Sequence, residues 1–335
     1  MMTTVDPPEE AAPAAATEYQ LADLAMAGGV PYWAVHALDD EGDKSSWILH
    51  ARRRGDDILF AVDVWLPGAV QAIAGDAAGH LWAVTDSNEL FTNAPVGGGA
   101  IWSAVAPPPD SHGDAVWQRC ELRLDQARPD LPTCIAWADD GLLIGTFNRR
   151  LYRWDGTLAT LEYDPRAPAY SGGINDIVMT AGGAWALGYG GTVLRRDDGV
   201  WGAVKAPWSD AEAEYVNLIA GAADAEGRIM AVASGGWVLA IDAQDVRATH
   251  RLPAEALGIT PFHGEWYAAT LDGCYRVADA GQVEPVRSGI AMGKVIDAGA
   301  MLMAVDADPD DPARAAAHLW LRNRSNDRWI RRAVG

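Results

Sequence analysis

One phrase recurs along the chain: a short strand of small apolar residues, a turn, then a bulky residue usually followed by alanine. Around the bulky residue the sequence reads PYWAVHA, HLWAVT, GLLIGT, GAWALG, RIMAVA, WYAAT and MLMAVD, anchored at Trp33, Trp82, Leu143, Trp185, Met230, Tyr267 and Met303. The six intervals cover 270 residues and average 45. A fixed period of that length marks a repeat architecture, in which each unit cannot bury its apolar face alone and stacks on its neighbours. Nine residues after four of the anchors stands a second bulky residue (Phe91, Tyr152, Leu194, Leu239), and eight after Tyr267 stands Tyr275. The tetrads between them, TDSN, TFNR, GYGG, ASGG and TLDG, hold Gly and Asn, which tolerate the positive φ of a hairpin turn. In the first and last units the same loop is expanded, at 36–46 and 306–317, which puts the following strands at 47–51 and 318–322.

Upstream of each anchor lies a strand rich in small residues: LADLAMA, VQAIAGD, TCIAWAD, INDIVMT, VNLIAGA, GITPFHG and KVIDAGA. Downstream lies a fourth element, marked by Trp102, Trp154 with Leu161, Trp201 and Trp329. Four strands per unit, repeated seven times, suit radial sheets around an axis, with Ala and Gly on the crowded inner strand and bulk between sheets farther out. The expectation is an all-β chain, a seven-bladed β-propeller of four-stranded antiparallel blades. A β-sandwich or β-helix also uses many short strands, but this period is too long for one coil and too regular for a sandwich. The Pro-, Ala- and Glu-rich stretch 1–18 reads as a disordered tail, 19–335 as a single propeller domain, and about 104–132 as a long loop insertion. All four strands of the last unit fall at the C-terminal end, so no exchanged closing strand is expected, although 17–20 could supply one.

The best-preserved unit, GGAWALGYGGTVLRRDDGVW at 182–201, resembles the repeat of the BNR/Asp-box and YCF48-like propellers, with Asp197, Asp198, Gly199 and Trp201 matching the Asp-box turn. The resemblance implies a structural turn with Trp packed beneath it. Other propeller groups fit less well. Asp-box sialidases carry an Arg-Ile-Pro motif and repeated Asp-boxes, neither of which occurs here. Trp154-Asp155 is the one Trp-Asp dipeptide, against the regular ones of WD40 repeats, and Gly190-Gly191 and Gly235-Gly236 lie in hairpin loops, unlike the kelch pattern.

Composition narrows the chemistry. A formal net charge of −20, from 46 acidic and 26 basic residues, argues against nucleic acid and anionic membranes and for a partner with a basic surface. No stretch approaches the ~18 apolar residues of a membrane-spanning helix, and the N-terminal segment lacks the basic and apolar regions of a secretion signal. Three cysteines, Cys120, Cys134 and Cys274, form no CxxC pair, and with the missing signal they point to a reducing cytoplasm. The ratio of 23 Arg to 3 Lys suggests a GC-rich bacterial genome. No HExxH, GxSxG, SxxK or P-loop pattern is present, the acidic run 306–311 lacks the Gly and Glu of a calcium loop, and no cofactor or metal is called for.

Function is then sought on the loops. Long connections at 104–132, 163–173 and 204–215 emerge on the face shared with the middle hairpins, and loops beyond ~12 residues are usually functional or disordered. They carry Trp117, Arg119, Arg123, Arg128, Tyr170, Trp208 and Tyr215, residue types enriched at interface hot spots, which can equally clamp the loops onto the ring. The mouth of the channel is assigned Gln71, Asn175, Asp176, Asn217 and Asp297, with Thr133 and Thr260 beside them, as a ligand site or as hydration of the tunnel. The expected function is a non-enzymatic, protein-binding propeller, such as a bacterial immunity (toxin-neutralising) or assembly protein. The alternative is a glycan-active hydrolase or lyase whose carboxylates converge on the channel.

Overall fold

The computed structural model describes residues 18–38, 44–54, 57–96, 102–105, 116–124, 130–165, 172–278, 282–306, 318–323 and 328–333. These form seven antiparallel sheets, six of four strands and one of five. Blade 1 consists of Glu18–Ala27, Val30–Leu38, Lys44–Arg54 and Asp57–Pro67. Blade 2 opens with Val70–Gly75, blade 3 with Pro132–Ala138, blade 4 with Ile174–Thr180, blade 5 with Leu218–Ala223, blade 6 with Ala256–Phe262 and blade 7 with Met292–Asp297. These seven first strands neighbour one another in chain order, and the last meets the first. The chain is a seven-bladed β-propeller. Among the described residues the helical content is a four-residue α-helix, Asp210–Ala213, and a single 3-10 turn, Ser234–Gly236.

The core is seven slabs, one between each pair of adjacent blades, rather than one central mass. Between blades 3 and 4, for example, Leu143, Leu151 and Ala136 pack on Ala184, Leu194 and Trp201. The second strand of a blade is covered on both faces, which is why the bulky anchors sit there: Trp33 and Leu143 are fully buried. Inner strands have no such room. A Cβ on Gly75 would fall 2.1 Å from the carbonyl oxygen of Met26 in blade 1.

All seven inner strands share one irregularity. The register with the second strand slips near the start, between Leu21 and Asp23, Val70 and Ala72, Pro132 and Cys134, Ile174 and Asp176, Leu218 and Ala220, Ala256 and Gly258, and Met292 and Val295. Such a bulge leaves a residue unpaired, steepens the twist and re-aims a side chain.

Among the described residues, ring closure uses no exchanged strand. Blade 7 is built in order from Met292–Asp297, Met301–Asp306, His318–Asn323 and Trp329–Ala333, and Glu18–Ala27 pairs within blade 1. Leu24, Trp33, Val35 and Leu49 of blade 1 pack on Met303, Val305, Leu319 and Leu321 of blade 7, and Lys294 pairs with Asp23 across the seam.

Three sequence expectations change. The fourth strand of blade 2 is Gln118–Glu121, paired with Glu89–Thr92, so it lies inside the stretch read as one loop at 104–132, with Ser103–Ala104 as a fifth strand outside it. Trp102 marks no fourth strand. Its ring meets Trp154 edge-on at 5.7 Å and fills the gap between blades 2 and 3. In blade 1 the second and third strands run through Leu38 and from Lys44, so the expanded loop narrows to 39–43, outside the described residues. Residues 1–17 and 307–317 also lie outside them.

Candidate functional site

The turns between second and third strands emerge with the blade-to-blade connections on one side, here the top face. A single stitch repeats there. The amide of the turn donates to the carbonyl just before or at the inner strand: Asp86 to Ala69, Phe147 to Leu131, Tyr189 to Gly173, Ser234 to Asn217 and Leu271 to Glu255, at 2.8–3.0 Å. In three consecutive blades these stitched turns carry large exposed side chains. Leu131 (48% exposed) and Phe147 (50%) stand on blade 3, Tyr189 (40%) on blade 4, and Tyr215 (80%) and Trp237 (41%) at blade 5. Among the described residues they are the large apolar side chains exposed on top-face turns and connections. Contacts link them into an arc. Gly173 abuts Phe147, the Tyr189 ring lies on Gly172, and Gly191 donates to the carbonyl of Val216 beside Tyr215.

The arc is held from beneath. A Cβ on Gly172, whose φ is +140°, would fall 2.3 Å from the Tyr189 ring, and one on Gly191 (φ +61°) 2.0 Å from Nε1 of Trp208. Only glycine lets these rings seat so low. Under Phe147, the buried Asp130 accepts from Thr146 Oγ1 (2.8 Å), the Asn148 amide and side chain (3.2 and 3.0 Å) and the Arg150 guanidinium (3.3 Å). Ser209 and Glu212 form a capping box on the short helix ahead of Tyr215.

The structure divides the loop residues singled out from sequence. Tyr215 belongs to the arc, and Trp208, half-buried, is its support. Trp117 is not presented to a partner: at 2% exposure it fills the slab between blades 1 and 2 beside Ile48, Val64 and Leu66. A side chain of that size in a connection is drawn into the nearest gap between blades. Arg119 lies on the fourth strand of blade 2, hydrogen-bonded to Ser103, and Arg123 pairs with Glu121 at that strand's end. Arg128 and Tyr170 lie outside the described residues. Leu131, Phe147, Tyr189 and Trp237 were missed, although Phe147 and Tyr189 stand in the TFNR and GYGG tetrads.

The channel residues have a structural office. Gln71, Thr133 and Asn175 are the bulged residues of blades 2, 3 and 4. Thr133 donates to the carbonyl of Ile174, and Asn175 donates to Leu218 O and Asn217 Oδ1, both at 2.6 Å. Asp176 accepts from Gly221 N (2.8 Å) and Ile177 N (2.9 Å), and Asp23 accepts from Ile73 N and Leu24 N (both 2.8 Å) and from Lys294. Each carboxylate thus satisfies an amide of the next blade, where inner strands diverge too far for a ladder. Asp297 is the last residue of its strand, so it sits at the opposite end of the channel and caps the Gly299 amide, and Thr260 is buried mid-strand. Together Asp23, Asp176, Cys134 and Lys294 line a cavity of about 510 Å³.

Burial pushes the Asp176 carboxyl up, against the pull of the Gly221 amide and Lys294. For Lys294 burial works downward, yet the neighbouring Asp23 outweighs it and holds the ammonium above its usual range. A carboxyl raised in the folded state adds stability while protonated and loses it as pH rises through the raised value. Asp176→Asn removes the charge and retains an acceptor. Its melting temperature relative to wild type should therefore rise as the pH is raised above the ordinary carboxylate range; scanning fluorimetry checks the slope, and a falling difference would contradict the assignment.

On the opposite face, aspartates cap turns. Asp155 accepts from Thr157 and Leu158, Asp224 from Glu226 and Arg228, and Asp242 from Gln244 and Asp245. Much of the acidity on that face is therefore tied to turn geometry. Hydrogen bonds from the Leu158 and Thr157 amides hold Asp155 below the usual carboxylate range. Among the described residues no group of three or more His, Cys, Asp or Glu could hold a metal ion, and no helix is long and apolar enough to cross a membrane.

No protein-family model matches the sequence, and no curated protein does. Solved structures are similar in fold. The WD40 β-propeller domain of Doa1 aligns at TM-score 0.60 and 12% identity over 95% of this chain and 97% of that one. YCF48 bound to D1 peptide aligns at 0.53 and 12%, over 96% and 95%. The computationally designed Ika8 protein aligns at 0.60 and 12%, over 96% and 89%. At these identities the likeness concerns the propeller alone.

Proposed function

We propose that this propeller is a non-enzymatic protein-binding module that engages its partner through the top face of blades 3 to 5. The arc of Leu131, Phe147, Tyr189, Tyr215 and Trp237 carries the reading. A run of exposed, firmly seated aromatic and aliphatic side chains is what an interface core requires, and such patches mark interaction sites. The similar fold of YCF48, solved with a bound D1 peptide, is in keeping with this use. The net charge of −20 favours a partner with a basic surface and speeds their encounter. A bacterial, cytoplasmic immunity or assembly protein of the BNR/YCF48-like kind fits that description. The Asp198-Gly199 turn behind the resemblance has both φ values positive, at +48° and +79°, and closes a two-residue hairpin over the buried Trp201. Against the glycan-active alternative, the oxygens of Asp23 and Asp176 in the channel already accept backbone amides.

The test is capture from source cells with wild type and with a Phe147→Ser/Tyr189→Ser/Trp237→Ser variant. Hot-spot losses of about 2 kcal/mol at two of the three positions already predict capture weakened by roughly 100-fold or more, with an unchanged melting curve. A partner held equally by the variant would refute the arc as the interface. Turnover of a glycan panel, abolished by Asp176→Asn, would refute the non-enzymatic reading.

A further inference from the structure

The chain has a marked habit of laying guanidinium groups over aromatic rings. Arg195 covers Trp185 at 5.6 Å, Arg251 covers Trp237 at 5.1 Å, Arg287 and Arg331 flank Trp320 at 4.8 and 5.7 Å, and Arg322 covers Tyr267 at 5.2 Å. Such a contact pairs a weakly hydrated, planar cation with the negative face of the ring. Among the described aromatic residues, Phe147, Tyr189 and Tyr215 combine high exposure with no cation stacked over the ring face and no second ring against it. The Arg149 guanidinium of the Phe147 turn reaches Thr192 beside Tyr189 at 3.5 Å without covering either ring. They are also fixed in place: Tyr189 rests on Gly172, and Phe147 stands on the turn that Asp130 ties down. Ordering these rings therefore costs little on binding. One exposed carboxylate, Glu214, stands next to Tyr215, whereas Asp164 at the end of blade 3 is paired with Arg150. At the fifth blade the same face shows the completed contact, Trp237 under Arg251.

From this we infer that the partner offers an arginine-bearing peptide segment, whose guanidinium groups stack on Phe147, Tyr189 and Tyr215. The inference rests on the arc being the interface and names what the arc recognises. It differs from plain apolar docking because the ring face, not merely the ring's area, is required. It also differs from general acid–base attraction, which would accept lysine as readily as arginine.

Three labelled ten-residue peptides distinguish these cases: alternating Arg and Leu, the same with Lys for Arg, and alternating Ser and Leu. Each is titrated against the full chain by fluorescence anisotropy. The Arg peptide should bind about 10-fold or more tighter than the other two. Tyr189→Leu, which keeps apolar area and loses the π face, should weaken it by about 5- to 30-fold, as should Tyr215→Ala at a position too exposed to affect folding. Equal binding of Arg and Lys peptides, or full affinity in Tyr189→Leu, would overturn the inference. If the Arg peptide fails while the triple serine variant still loses its captured partner, the inference falls and the arc stands as the interface. If capture is unaffected by that variant, the interface itself is elsewhere.

Discussion

Arg196→Met should weaken the joint between blades 3 and 4 by about 3–5 kcal/mol, because it strips a buried charge from its partners. The guanidinium, 10% exposed, donates to both oxygens of Glu162 at 2.8 and 2.7 Å and to Asp140 at 3.2 and 2.8 Å. Glu162, equally buried, also accepts from Trp201 Nε1 (3.0 Å) and Arg153 Nε (3.1 Å). Glu162's hydrogen bond, outweighing burial, and then that of Asp140 hold the Arg196 charge firmly in place, and Arg196 in turn lowers the Asp140 carboxyl. Asp140 is half exposed, so the cost falls on Glu162, left buried with weaker partners. A fall in melting temperature of roughly 5 °C or more is expected. Trp201→Phe, which removes one hydrogen bond and keeps the packing, should cost only about 1 kcal/mol. Adding Glu162→Leu to Arg196→Met should restore part of the loss, since an apolar replacement of the whole pair is often neutral. An unchanged melting curve in the single variant would show that the network contributes nothing to stability.

Asp130→Ala should be comparably severe and should also reach the candidate interface. The carboxylate is fully buried, and five donors meet it, counting the Leu131 amide at 3.1 Å. Arg150 would lose Asp130 and keep Asp164 at 3.2 Å, a partner one-third exposed, together with Tyr152. Removing an acceptor from several buried donors costs about 1–3 kcal/mol for each left unsatisfied, so a total near 3–5 kcal/mol is expected. The distinguishing result is local. Limited proteolysis should cut the 146–149 turn of the variant first, and partner capture should fall with it. If the melting temperature falls but the turn stays protected, Asp130 supports the blade without supporting Phe147.

The blade unit is legible in the chain because its physical demands repeat: small residues where inner strands crowd, bulk where a strand is covered on both faces. Every anchor from Trp33 to Met303 lies on the second strand of its blade. What repeats less is harder to read. The fourth strand of blade 2 carries QRCE, without a bulky mark, while Trp102 nearby looks like one. Exposure is not written in residue type, so Trp117 and Tyr215 read alike, yet one is buried and the other open. Phe147 and Tyr189 were visible inside their turns, and a large ring in a tight turn, with no interior to fill, is the signal that identifies them. The pairing of Lys294 with Asp23 joins residues 271 positions apart and becomes visible only when the ring is closed.

That closure bears on how such a chain can change in length. In blades 1 and 7 alike, four consecutive strands form a whole sheet, and among the described residues the two sheets meet through side chains: the slab of Leu24, Trp33, Val35 and Leu49 on Met303, Val305, Leu319 and Leu321, and the ion pair of Lys294 with Asp23. Duplicating or deleting a stretch of one repeat would break no strand ladder. It would ask that the new neighbours match knobs to hollows and supply a carboxylate for an amide of the adjoining inner strand. The number of blades is thus held by the wedge angle of the interblade slabs, and substitutions there, rather than at any hydrogen-bonded edge, are the route by which a ring of this kind could come to hold six or eight.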